Sequence, residues 1–296
     1  MQRSTITALL AFYMGICLFL FSPAYSFAQM ETDVFLIPLS YEGDQMKLGE
    51  AKNITNRKGY DNQPSFSPDG SRVFYVAADD SGQSDVFFYD LQQGRPYKMT
   101  QTPLRKEYSP KMTPDGKHFT AVAIEKDGVT QRIWKYGLEQ GEGVLMEKID
   151  SVGYYDWIDA DHLGFFVLTD PFTLQVTNIQ TQEPQVIAEN IGSAIHTQPG
   201  TDTLTFVRKD GEGRAFICAY HRGLKEVKVL AETLGGSEDF CWSARGTLLL
   251  GDEQALYELN PYTGEEWEKV ADLTVGRFYR PKVSPDGKYL AIVVYQ

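Results

Sequence analysis

Basic charge is scarce in this chain. Against 28 lysines and arginines stand 40 aspartates and glutamates, a formal net charge of −12 over 296 residues. No basic cluster stands out, which argues against a nucleic-acid partner, because phosphate binding needs concentrated Lys and Arg. The acidic balance favours solubility and would draw cationic partners over a distance. Cysteine is almost as scarce. Cys17, Cys218 and Cys241 are too few for a disulfide framework. Cys218 and Cys241 lie in apolar or aromatic strand-like segments and read as buried thiols, with a bridge between them the alternative. Histidine is limited to His118, His162, His196 and His221. Neither His-Glu-x-x-His nor Cys-x-x-Cys nor a phosphate-binding glycine loop occurs, so no metal and no cofactor is expected. Long helical periodicity is missing beyond the first thirty residues, and so is any second long apolar run.

The one long apolar run, Ile6 to Phe21, follows Arg3 and precedes Ser26-Phe27-Ala28. A positive start, an apolar middle and small residues at −3 and −1 describe a secretory signal over residues 1–28, cut after Ala28. At sixteen residues the run falls below the ~17–25 that span a bilayer, although a retained anchor is the alternative. The mature chain, 29–296, is expected outside the cytoplasm, periplasmic or secreted, without a membrane span.

What fills it is a repeat. Ser67-Pro68-Asp69-Gly70, Thr113-Pro114-Asp115-Gly116 and Ser284-Pro285-Asp286-Gly287 are nearly one tetrapeptide, each placed between an apolar residue and an alternating apolar run. Weaker copies follow Trp157, Thr197 and Trp242. The anchors 66, 112, 157, 197, 242 and 283 are spaced 40 to 46 residues apart, the length of a four-stranded propeller blade. Pro presets the first central position of a turn, Asp bonds back to the backbone and Gly takes positive φ, so each tetrapeptide joins the first two strands of a blade. Third and fourth strands follow, as in Asp85–Leu91 and Tyr97–Thr100, with period-two alternation between turn residues.

Only Val283 to Gln296 follow the sixth anchor, enough for two strands. The missing pair stands at the other end: Asp33-Val34-Phe35…Leu39 copies Asp85-Val86-Phe87…Leu91, and a fourth strand is expected through Ala51–Thr55. The prediction is an all-β, six-bladed β-propeller of four-stranded antiparallel blades, its last blade closed by both termini, which pairs strand edges that would otherwise invite aggregation.

The strings Gln63-Pro64-Ser65-Phe66-Ser67-Pro68-Asp69-Gly70 and Asp85–Leu91 resemble the repeat of the TolB-like (PD40, WD40-like) family, over about Asp33 to Gln296. The resemblance implies a propeller in the cell envelope that binds a protein. TolB proteins also carry an α/β domain ahead of the propeller; here the repeats begin within a few residues of the expected cleavage site, so that domain is not expected. Similar propellers cap prolyl-oligopeptidase-type peptidases, but no Gly-x-Ser-x-Gly occurs in this sequence.

Propellers host unrelated activities, so function has to be argued from a site. Residues three and four before each anchor, with their neighbours, are expected in loops around one mouth of the central channel: Tyr60, Asp61, Tyr108, Tyr154, Tyr155, Asp156, Glu238, Asp239, Tyr279 and Arg280. His196 is the one histidine expected on a channel-lining strand. A rim rich in tyrosine and carboxylate with one arginine suits a protein or peptide partner on a monomeric propeller, since Tyr and Arg combine contact area with polar tips. The rival reading is a carbohydrate- or lactone-acting lyase or hydrolase using His196 with Asp156 and Asp239. A carbohydrate-binding module, its tyrosines stacking on sugar rings, is the third.

Overall fold

The structure, a computed structural model, describes residues 30–139, 143–146, 148–263 and 266–296, so the expected leader lies outside the described residues. All regular elements among the described residues are β-strands. The N-terminal segment forms β1 (Thr32–Glu42), β2 (Gln45–Leu48) and β3 (Lys52–Asn53). Then come β4 (Tyr60–Phe66), β5 (Arg72–Ala78), β6 (Ser84–Asp90) and β7 (Arg95–Lys98), followed by β8 (Lys106–Met112), β9 (His118–Ile124), β10 (Gln131–Gly137) and β11 (Val144–Leu145). The third set is β12 (Val152–Trp157), β13 (His162–Val167), β14 (Thr173–Asn178) and β15 (Gln185–Glu189). The fourth is β16 (Ile191–Thr197), β17 (Thr203–Lys209), β18 (Ala215–His221) and β19 (Glu226–Glu232). The fifth is β20 (Phe240–Trp242), β21 (Leu248–Asp252), β22 (Ala255–Leu259) and β23 (Glu268–Asp272), and the chain ends in β24 (Phe278–Val283) and β25 (Tyr289–Tyr295).

The three strong tetrapeptides make the same turn. Ser67, Thr113 and Ser284 hydroxyls donate to Asp69, Asp115 and Asp286 at 2.6, 2.6 and 2.7 Å. Gly70, Gly116 and Gly287 take φ of 70, 67 and 70°, and each N–H closes onto the Ser/Thr carbonyl at 2.9 Å. The turns join β4 to β5, β8 to β9 and β24 to β25, as predicted.

Hydrogen bonding groups the strands into four four-stranded sheets and one of nine, rather than six separate sheets. The nine-stranded sheet runs β24-β25-β1-β4-β5-β6-β7, with β2 and β3 also on β1. Its β1–β4 junction is a single parallel pair, Thr32 with Tyr60. By contrast β1 and β25 pair antiparallel over seven residues, Thr32↔Tyr295 to Pro38↔Tyr289, so the two ends of the described chain share one sheet. The likeness of β1 to β6 extends to detail: Thr55 Oγ1 accepts from Val34 N (3.0 Å) as Thr100 Oγ1 accepts from Val86 N (2.8 Å). The β1–β2 hairpin has no counterpart in the predicted repeat. In space β4 neighbours β8, β8 neighbours β12, and so on through β16, β20 and β24 back to β4, closing a ring.

Core clusters lie between successive sheets. Phe74, Val86, Phe119 and Tyr136 form one, with Phe88 and Trp134 at its margin, and Ile37, Leu249, Leu256, Leu290 and Ile292 form another. Each fully buried side chain of this size contributes about 1.5–3 kcal/mol. Cys218 and Cys241 are buried free thiols in two such clusters.

Candidate functional site around the central channel

The six ring strands line a cavity of about 70 Å³. Three of them break alternation in the same way. Between Asn62 and Ser65, Tyr108 and Lys111, and Tyr279 and Lys282, the inner strand spends three steps while its partner spends two. The residue at each bulge, Gln63, Ser109 or Arg280, holds φ of 56, 51 or 53° and precedes a proline. Such backbone is sparsely populated by non-glycine residues and persists where its surroundings fix it. The bulge turns consecutive residues to the cavity: 63–65, 109–111 and 280–282 all line it.

Arg280 spans one level of the cavity. Its guanidinium donates to Tyr154 Oη (2.7 Å) on β12 and to Asn62 Oδ1 on β4, and lies 5.4 Å from the ring centres of Tyr154 and Tyr279. Asn62 in turn donates to Tyr279 Oη at 2.5 Å. Burial, only partly offset by Arg280, pushes the Tyr60 phenol well above its ordinary range and that of Tyr279 up to about 12, so both stay neutral donors at physiological pH. Burial also raises Asp239, with Arg280 opposing.

A second level holds Lys111, Asp156, His196 and Lys282. Lys111 Nζ pairs with Asp156 Oδ1 at 3.0 Å, and Asp156 Oδ2 accepts from Thr197 N at 2.8 Å. Lys282 Nζ hydrogen-bonds to the His196 imidazole, whose ring meets Phe240 edge-on with centres 4.9 Å apart. Burial, reinforced by Lys111, pulls Lys282 down to about 7. Burial and then Lys282 hold His196 well below its usual range, which leaves the imidazole neutral.

The structure superposes on a protein assigned as TolB from Agrobacterium tumefaciens with a TM-score of 0.71, at 16% identity, over 90% of this chain and 99% of that one. The chain has the fold of the TolB-like β-propellers. The same fold is shared with an oligogalacturonate lyase in complex with manganese, at a TM-score of 0.59 and 17% identity over 83% of this chain and 80% of that one. In sequence, 71 residues are 31% identical to dipeptidyl-peptidase 5 of Porphyromonas gingivalis; that stretch is 22% of this chain and only 10% of the relative. No protein-family model matches.

On this TolB-like propeller the predicted rim residues fall inside the ring strands, not in loops ahead of them, apart from Glu238 and Asp239, which precede β20. They separate into four groups. Tyr60, Tyr154, Tyr279, Arg280 and Asp239 gather at the first level, and Asp156 and His196 at the second. Glu238 accepts from Ser193 N (2.8 Å) and pairs with Lys209. The remaining three are structural in their contacts. Asp61 is fully buried and pairs with Arg57 at 2.7 Å. Tyr155 lines the cavity while its buried hydroxyl donates to Thr120 Oγ1 at 2.8 Å, and Tyr108 packs against Tyr60 and Val76. Sequence reasoning missed Lys111 and Lys282, both one position before their anchors; the signal was two lysines at one repeat position. The donor set does not suit a metal ion, because His196 faces an ammonium group. Among the described residues no three His, Cys, Asp or Glu side chains converge, and no helix is long and apolar enough to cross a membrane.

Proposed function

We propose that this chain is a six-bladed propeller that binds a protein or peptide partner at its channel, in the periplasm or outside the cell, without catalysing a reaction. The six blades follow if the nine-stranded sheet is divided at its lone parallel pair, Thr32 with Tyr60, into β4–β7 and a blade built from β24, β25, β1 and β3. The observation carrying the binding reading is the Arg280–Tyr154–Tyr279–Asn62 network, a rigid set of aromatic faces and polar tips at the channel. The TolB-like fold is consistent with an envelope partner, and the signal-like pattern expected over residues 1–28 with export.

The test is affinity capture from envelope extract with the wild type and with a Tyr154→Ala/Glu238→Ala/Arg280→Ala variant whose cooperative melting has been verified. Loss of a specific partner from the variant is expected. An identical set of captured proteins would overturn the channel assignment. Lys282 favours a second reading, catalysis on a carbohydrate, since an enclosed amine titrating near 7 suits proton abstraction. Turnover of an acidic oligosaccharide by the wild type and not by Lys282→Met would favour that reading over the first.

A further inference from the structure

The channel is short of negative charge. Three cations, Arg280, Lys111 and Lys282, line the cavity, and the carboxylates beside them are Asp156 and Asp239. Asp156 is engaged by Lys111 and by Thr197 N. Arg280 donates to an amide and a phenol, both neutral. Among the described residues the Lys282 ammonium has as its hydrogen-bonding partner only the neutral His196 ring. An enclosed cation whose neighbouring carboxylates, Asp156 and Asp239, are already engaged by Lys111 and Arg280 is costly, and the site relieves that cost by losing a proton or by taking up an anion.

We propose that the channel binds a carboxylate at Lys282 and Lys111, and that this is the anchoring group of the peptide or protein partner. The inference rests on the partner-binding reading above. The cavity of about 70 Å³ has room for a carboxyl with a carbon or two between the two lysines. Carboxylates are also the groups for which a pair of ammonium donors gives charge-assisted hydrogen bonds.

The probe is carbon-13-labelled acetate, titrated by NMR at constant chloride into the mature chain. Saturable binding is expected at pH 6 and should weaken at least about tenfold by pH 9, as Lys282 loses its proton. The other groups facing Lys282 are accounted for. Lys111 is ion-paired with Asp156, the Arg280 guanidinium stays charged, Cys241 is pushed up to about 12 and stays a thiol, and His196 stays neutral. Asp239 is raised and could itself titrate, so the control is Lys282→Met, which removes an enclosed charge and should fold. This variant should lose about tenfold or more in acetate affinity at pH 6 and lose the pH dependence. If it instead binds like the wild type, or if the wild type shows no saturable binding at millimolar acetate, the site is wrong.

Competition then assigns the source. A tripeptide with a free C-terminus against its amide reports a chain end, and an amidated peptide carrying one Asp reports a side chain. Competition by neither peptide would overturn the link to a peptide partner. Failure of acetate to bind, with partner capture intact, removes only this inference. Acetate binding without any captured partner removes the reading it rests on.

Discussion

Replacing Glu107 with Gln should stabilise the protein above neutral pH and change little in mild acid. Glu107 lies on β8 with no solvent exposure, and its carboxylate accepts hydroxyls from Thr102, Thr100 (3.2 Å) and Tyr136 (3.2 Å). At the equivalent place on β4, Asp61 has the Arg57 guanidinium; Glu107 has no cation in its hydrogen bonds, and Asp85 adds repulsion. Burial therefore lifts Glu107 from the ordinary 4.5 to about 7. Below about 4.5 the group is protonated in both folded and unfolded chains and costs nothing. As pH rises from 4.5 to 7 the unfolded chain releases its proton first, so stability falls. Above 7 the whole difference is in place, roughly 3 kcal/mol. Gln keeps an acceptor for Thr102 and Tyr136 and turns its amide N–H toward Thr100 Oγ1. Urea unfolding of wild type and Glu107→Gln across pH 4.5 to 8 is the assay, because titrations common to both proteins cancel. The stability gap should widen by about 3 kcal/mol toward pH 8. A gap that stays constant with pH, or that narrows, would refute the reasoning.

Two further outcomes are expected. Arg57→Met leaves the buried Asp61 without its partner and should cost about 3–5 kcal/mol, read by chemical denaturation. Without Arg57 the carboxyl would hold its proton to a pH above the value of about 6 it has in the ion pair, so that loss should shrink as pH falls from the alkaline side toward 6 and stay at its minimum below it. Ile37→Ala, at the seam where β1 meets β25, should cost about 2–5 kcal/mol in the same assay while a matched change at the exposed Val229 costs little.

Most of the architecture was legible because it is written locally. Ser-Pro-Asp-Gly carries its own turn chemistry, strand alternation repeats every two residues, and Asp33-Val34-Phe35 announces itself as a copy of Asp85-Val86-Phe87. His196 stands on a channel-lining strand, where the repeat register put it. The candidate site was less legible. A single bulge residue shifts which face a strand presents, so counting back from the anchors found Arg280, Tyr154 and Tyr155 but took the inward-paired Asp61 for a rim residue and passed over Lys282.

The sequence by itself determined the repeat, the tight turns and the complementary ends, because each depends on neighbouring residues and on backbone geometry. Only the tertiary structure decided what faces the channel and with which partner. Lys282 meets His196 across 86 positions of sequence, and Arg280 meets Tyr154 across 126. Such pairs, and the charge balance they leave behind, exist only once the ring has closed.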